Sequence, residues 1–277
     1  MNKDNQNRKI LFIFWIYTLI VIFWGAWVRI SHSGDGCGDH WPLCTGKLIP
    51  DLTHDKTFVE YFHRIMTGIY GLIVIYFFFR FKKHPRKEIR VLNLSLLILM
   101  ILEALIGAAL VKLNLVTIND SYMRLAFMIL HQLNSFLLTG VTYIFYKYFT
   151  PDFKFHFSKK LLLFLIVSVT GAIAALSVTL FPAISLWQGI IEDFSHDAHP
   201  FIKLRILHPL LALTTMTGFI VYFFNKNQTR FALEILIAVT IGVITLVTLS
   251  PLALKITHLG IAHILWARFL TLDKKTY

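Results

Sequence analysis

The chain has 277 residues, of which 56% are hydrophobic and 15% are charged, and its mean hydropathy is +0.66. Soluble domains carry about 25% charged residues, so this composition excludes an ordinary soluble protein and predicts an all-α integral membrane protein. The net charge of +12 lies mostly in short basic segments between apolar runs. That distribution is a topology signal and gives no independent support for nucleic-acid binding.

Eight apolar runs follow one another along the chain, each long enough to cross about 30 Å of hydrocarbon as a helix. The first, Ile10–Val28, exceeds the apolar region of a signal peptide, so we expect it to be retained. The eight predicted transmembrane helices cover residues 10–28, 58–79, 91–111, 122–146, 161–180, 201–224, 231–249 and 254–272. Long acidic loops precede the second and sixth of them.

The distribution of Lys and Arg predicts the orientation of these helices. Eighteen of the 27 basic residues lie in the two tails and in the links after the second, fourth and sixth helices. The positive-inside rule therefore predicts cytoplasmic N- and C-termini in a bacterial-type cell membrane, with the 31–57 loop outside. The two cysteines of the chain, Cys37 and Cys44, lie in that loop. An oxidising outer compartment favours a disulfide between them.

Each even-numbered predicted helix carries one histidine near its outer end: His63, His131, His208 and His258. For the first three, a cytoplasmic basic residue follows 16–18 residues later, which is about 24–27 Å of helix and places them at a common depth. A lone histidine in a span is often only a hydrogen-bond partner. Four at matched depth favour two pairs, each ligating one haem iron from both sides.

The pattern of loops and histidines repeats after the fourth helix. It predicts two pseudo-symmetric four-helix bundles, residues 1–150 and 151–277, related by an axis along the membrane normal. His263 lies about 140° around the helix from His258, so we interpret it as a packing or hydrogen-bonding residue. Glu103 lies mid-span in the third helix, where an unpaired charge is costly, and its partner is left open.

Two further groups of charged residues each have two interpretations. Glu60, one turn closer to the surface than His63, is either an interfacial carboxylate favoured by the helix dipole or an acid/base group beside a cofactor. Arg29, Arg64 and Arg205 lie near the outer ends of their helices. Their guanidinium groups suit haem propionates, and they suit interface anchoring equally well.

Several segments together resemble the haem A synthase family, and the resemblance covers nearly the whole chain. They are Trp27–Arg29, the Ser33–Cys44 loop with its Trp-Pro pair, the Glu-x-x-His-Arg motif at Glu60–Arg64, Ile206–Pro209, and His258–Ala262. The second cysteine pair that some family members carry has no counterpart in residues 182–202.

The resemblance implies a membrane oxidoreductase of cytochrome oxidase assembly. It implies that haem O is converted to haem A by successive oxidation of one porphyrin methyl group to formyl, with Glu60 catalytic. It also implies a resident haem b as redox cofactor between His208 and His258, with haem O bound by the N-terminal half. We expect haem O synthase, an electron donor or acceptor and membrane lipid as partners, and no nucleic acid.

Two other functions are considered. A non-enzymatic di-haem b-type cytochrome that passes electrons within the membrane would explain the four histidines, but it gives Glu60 and the cysteine loop no role. A transporter with a duplicated fold predicts broken helices near the midplane, and Pro209 is the only proline well inside a predicted span.

Overall fold

The computed structural model describes residues 3–272, and this part of the chain forms ten α-helices and no β-strand. The helices are α1 (Lys3–Ile30), α2 (Asp55–Phe81), α3 (Lys87–Lys112), α4 (Tyr122–Lys147), α5 (Lys159–Leu180), α6 (Leu186–Asp193), α7 (Pro200–Arg205), α8 (Leu207–Asn225), α9 (Thr229–Val247) and α10 (Leu252–Phe269). The predicted all-α class is confirmed.

Seven helical segments of the described chain are long and apolar enough to cross a membrane: α1 to α5, α7 with α8 as Pro200–Asn225, and α9. The eighth predicted span corresponds to α10, which is not one of these seven and whose 18 residues include Lys255 and Arg268 as well as two histidines. Large apolar side chains stay exposed on the spans, such as Leu72 at 68% and Phe79 at 61%. Lipid accommodates this surface, whereas water would not. The chain is a membrane protein.

The first compact unit, Met1–Phe155, contains α1 to α4, and each helix packs against two others in the order α1–α2–α3–α4–α1. We call the end that carries residues 31–54 and 113–121 the loop end of this unit. At the other end the ring of Phe81 lies 5.2 Å from that of Phe145 and 5.8 Å from that of Phe149. Nearer the loop end, Trp24 Nε1 donates to Val59 O at 2.9 Å, which ties α1 to α2.

The second compact unit, His156–Tyr277, contains α5 to α10. In this unit α5 packs against α7, α8 and α10, while α9 packs against α8 and α10. The ring of Phe269 lies 4.9 Å from that of Phe231, 5.2 Å from that of Phe219 and 5.9 Å from that of Phe223. These aromatic contacts hold α8, α9 and α10 together.

The sixth predicted span is two helices in the structure, because α7 ends at Arg205 and α8 begins at Leu207. Pro209 explains the break, since it has no N–H for the carbonyl four residues earlier and its ring crowds that carbonyl. The break places His208 in the first turn of α8. The loop predicted before this span also contains the short helix α6, whose cap Ser185 accepts a hydrogen bond from Gln188 N at 3.2 Å.

Candidate functional site

His208 and His258 face each other within the second unit. They project from α8 and α10, and their ring centroids lie 6.2 Å apart with the ring planes at 68°. Thr170 Oγ1 on α5 lies 3.3 Å from His208 Nδ1 and fixes the orientation of that ring. The Nδ1 atom of His258 is buried without a hydrogen-bond partner among the described residues. Two imidazoles at this separation can ligate one metal ion that lies between them.

The first unit brings His63 on α2 and His131 on α4 close enough for their charges to interact. His131 and Asn134 on α4 are the partners of Glu103 on α3, which the sequence left open. Its Oε1 lies 3.4 Å from His131 Nδ1, and its Oε2 accepts a hydrogen bond from Asn134 Nδ2 at 2.7 Å. The contact with His131 is close but not aligned as a hydrogen bond. The two units therefore support their histidines differently, with a carboxylate in the first and a hydroxyl in the second.

Three of the four histidines lie against a glycine of the neighbouring helix. A Cβ atom added to Gly25 on α1 would lie 2.9 Å from Cε1 of His63, and one added to Gly242 on α9 would lie 2.9 Å from Cε1 of His258. A Cβ atom at Gly171 on α5 would lie 3.2 Å from Cε1 of His208. Only glycine permits helices to approach an imidazole this closely, so these positions hold the rings in place.

Glu60 is buried, with 3% of its surface exposed, and both of its oxygens accept hydrogen bonds. Oε2 accepts from the backbone N–H of Cys37 at 2.7 Å, while Oε1 accepts from Arg64 Nε at 3.1 Å and Nη2 at 2.5 Å. Arg64 Nη1 also donates to His40 O at 2.8 Å and to Leu43 O. The carboxylate therefore links α2 to the cysteine loop, and Arg64 is committed to that link.

The corresponding position of the second unit carries the opposite charge. Arg205 lies three residues before His208, as Glu60 lies three residues before His63. Its guanidinium donates to Asp193 Oδ1 at 2.5 Å and to Gly189 O at 3.0 Å, so it ties α7 to α6. Burial raises the pKa of the Asp193 carboxyl, although Arg205 opposes that shift.

Cys37 and Cys44 lie at disulfide distance, with their sulfur atoms 2.00 Å apart, in agreement with the predicted pairing. We expect the purified protein to contain this bond, because both residues are buried and held together by the loop. Peptide mapping by mass spectrometry, after alkylation without reduction and cleavage at Asp39 between the two cysteines, should detect one linked peptide that resolves into two after reduction. Two alkylated thiols in the unreduced sample would contradict the pairing and the predicted oxidising compartment.

A sequence profile of the cytochrome oxidase assembly protein family (COX15-CtaA) matches residues 8–270. The chain belongs to this family. It is similar to a protein of Thermus thermophilus named protoheme IX farnesyltransferase, at 26% identity over 93% of this chain and 46% of that protein. A haem A synthase of Exiguobacterium sp. is 38% identical over 37% of this chain and 36% of its own length. A haem A synthase of Alkalihalophilus pseudofirmus is 43% identical over 34% of this chain and 32% of its own length. The chain thus spans less than half the length of these curated relatives.

The structure shows buried polar residues that were not singled out from the sequence. Arg124 on α4 is buried at 2% exposure and donates from Nη1 to Thr117 O at 2.8 Å and to Asn119 O at 2.6 Å. Its position seven residues before His131, on the same helix face, is the signal that could have identified it. The glycines that contact the histidines carried a weaker signal, since glycine is common in transmembrane helices.

Proposed function

We propose that the chain is a haem A synthase that oxidises one methyl group of haem O to a formyl group within the membrane. The family match and the similarity to two proteins named haem A synthase support this proposal. The conversion adds one oxygen atom to the methyl carbon, taken from water, and releases protons and electrons in successive oxidations. A redox partner must therefore receive the electrons, because ordinary side chains cannot accept them.

One difference between the two units carries the proposal. Three residues before a candidate histidine ligand, the first unit has the carboxylate of Glu60 and the second unit has the guanidinium of Arg205. A carboxylate at that position, Glu60, can accept a proton from a carbon under oxidation or stabilise positive charge on it. The guanidinium of Arg205 can do neither, because it stays protonated and positively charged. We therefore assign substrate oxidation to the N-terminal half, with haem O held by His63 and His131, and a resident haem b to the C-terminal half.

The second unit fits a haem between His208 and His258. A ligating imidazole nitrogen lies about 2 Å from its metal ion, which puts two opposed ring centroids about 6 Å apart, and the observed separation is 6.2 Å. Within the described chain no group hydrogen-bonds Nδ1 of His258, so this imidazole is not engaged there as a structural hydrogen-bond partner. A bound haem b would supply an iron centre that accepts and passes on single electrons.

The first unit suits a substrate that enters and leaves. The side chain of His131 is 32% exposed and that of Glu103 is 22% exposed. A prenylated porphyrin dissolves in lipid, so a partly open histidine gives it access from the membrane. Glu60 lies on the loop side of His63, under the cysteine loop, where it is shielded from bulk water. These features favour exchange of a ligand between the first unit and the surrounding lipid.

We further propose that the helices form two four-helix bundles, one per unit, with α10 as the eighth span. The ring of contacts from α1 to α4 supports the first bundle, and the contacts among α5, α7–α8, α9 and α10 support the second. The excess of Lys and Arg in the tails and alternate links supports a cytoplasmic position for both termini and an outer position for the cysteine loop.

The proposal is tested by extracting haems from membranes of cells that make this chain together with a haem O source. Chromatography should show haem A, and the haem O source alone should show only haem O and haem b. If the purified chain instead holds two haem b molecules and the cells form no haem A, the chain is an electron carrier of the cytochrome b type and the proposal is wrong.

The glycine contacts give a second test, which addresses the resident haem. Gly242→Ala places a methyl group 2.9 Å from Cε1 of His258, closer than atoms can pack, so we expect the ring to move and the low-spin b-type spectrum to be largely lost. Gly218→Ala is the matched control, because a Cβ atom there meets nothing within 4 Å and helix propensity rises equally in both variants. Identical haem content and spectra in the two variants would contradict the assigned role of Gly242.

A further inference from the structure

Two arginines at the loop end of the first unit, half-buried Arg29 and buried Arg124, differ from Arg64 and Arg205 in their hydrogen bonds. Arg64 is bound to Glu60, and Arg205 in the second unit is bound to Asp193. The Nε atoms of Arg29 and Arg124 are both buried without a hydrogen-bond acceptor among residues 3–272. Arg124 uses Nη1 on loop carbonyls, and Asp120 is the acidic residue that influences it. No side-chain hydrogen bond of Arg29 is found in the described chain.

The positive charge of Arg124 acts on Arg29, because α1 and α4 pack together. Guanidinium groups stay charged under all ordinary conditions. Two like charges repel more strongly where they are partly removed from water, and leaving a buried donor without an acceptor adds a further cost. An anion placed between the two groups would remove both costs.

The arginine pair lies directly above the histidine pair. Arg29 follows Gly25, the glycine against His63, by four residues, so it lies on the same face of α1 about 6 Å nearer the loop end. Arg124 precedes His131 by seven residues, which is two turns on the same face of α4 and about 10 Å. A flat ligand whose metal lies between the histidines would extend its edge toward these two guanidiniums.

We propose that Arg29 and Arg124 form a carboxylate-binding site that receives the propionate groups of the porphyrin bound in the first unit. This inference rests on the proposed function, since it presumes a porphyrin between His63 and His131. Guanidinium and carboxylate match as a planar fork that forms two parallel hydrogen bonds. The site fixes which edge of the porphyrin points to the loop end. A phosphate of an anionic lipid offers the same oxyanion chemistry, but the burial of Arg124 favours a ligand held inside the unit.

The test compares two probes that differ only in the carboxylates: ferric protoporphyrin and its dimethyl ester. Each is titrated into the purified full chain in nanodiscs of neutral lipid, and the Soret difference spectrum reports binding. We expect wild type to bind the diacid at least about tenfold more tightly than the diester, the usual value of one charge-assisted bond. Arg29→Gln and Arg124→Gln should each remove most of that preference and leave the affinity for the diester unchanged.

Three further samples decide the interpretation. Lys56→Gln removes one exposed positive charge from the same unit and should keep the full preference. If Arg29→Gln does not fold, Arg29→Lys takes its place. Lys keeps the positive charge but cannot form two parallel hydrogen bonds, so the affinity for the diacid should be intermediate. His63→Ala should abolish the binding signal for both probes, which shows that the signal comes from the first unit.

The outcomes separate this inference from the function on which it rests. Equal affinity of wild type for diacid and diester, or equal loss of both probes in Arg29→Gln, would overturn the carboxylate site while leaving haem A formation as a separate result. Loss of the diacid preference on adding phosphatidylglycerol would assign the arginines to lipid phosphate and would also overturn the site. Absence of any His63-dependent binding would overturn both the site and the haem assignment of the first unit.

Discussion

Glu60→Gln is expected to lower the yield of haem A about 100-fold or more, the usual scale for losing a positioned acid/base group. The resident haem b should remain, since His208 and His258 belong to the other compact unit. Haem O, or a partly oxidised hydroxylated form, should accumulate on the protein. The measurement is chromatography of haems extracted from cells that make the variant beside a haem O source.

The hydrogen bonds of Glu60 complicate this variant in a way that the sequence did not predict. Both carboxylate oxygens accept hydrogen bonds, from Cys37 N and from Arg64, so the NH₂ group of Gln would face one of these donors. That mismatch costs about 1–3 kcal/mol and loosens the cysteine loop. A control must therefore weaken the loop without touching the carboxylate.

Thr57→Val is the matched control for that effect. Thr57 Oγ1 donates to Gly36 O at 2.8 Å, one turn from Glu60 and on the same loop. We expect Thr57→Val to keep most of the haem A yield if the carboxylate itself acts in the oxidation. Equal losses in the two variants would assign the effect to the loop, and a normal yield from Glu60→Gln would remove Glu60 from the mechanism.

The all-helical class and most helix positions could be predicted from the sequence, because apolar runs and basic links respond to the bilayer directly. The break between α7 and α8 could be anticipated only in part, since Pro209 was visible but its effect on Ile206 depends on how the neighbouring helices pack. Helix α6 was missed because its eight residues are too few to show a clear period. α10, in contrast, was predicted as a span from the sequence, but its charged and histidine side chains make it less apolar than the other spans.

Much of the candidate site depends on contacts between distant segments, which one sequence cannot show. Glu60 was identified, but its bond to Cys37 joins residues 23 positions apart, and the partner of Glu103 lies on another helix. Arg29 was singled out, whereas Arg124 was missed because an arginine near a helix end is usually an interface anchor. The roles of the four histidines and of Glu60 stay predictions that the experiments address.

Replacing His208 or His258 with Ala is expected to abolish most of the reduced-minus-oxidised b-type signal of the purified protein. Either change leaves one imidazole of a pair whose ring centroids lie 6.2 Å apart, and a haem iron bound there would lose one of its two ligands. His196→Ala, a loop histidine whose side chain is fully exposed, should retain the whole signal and serves as the control for the general effect of the substitution.

The comparison with His63→Ala decides whether the resident haem belongs to the second unit alone. Thr170 and Gly171 on α5 support His208 and lie in that unit, so the loss of His63 leaves the support of the b-type site intact. We therefore expect His63→Ala to keep the resident signal and to lose only haem O binding, measured as haem O retained on the purified protein. An unchanged spectrum in His208→Ala would refute the assignment. Loss of the b-type signal in His63→Ala, with His208→Ala normal, would move the resident haem to the first unit and exchange the proposed roles of the two halves.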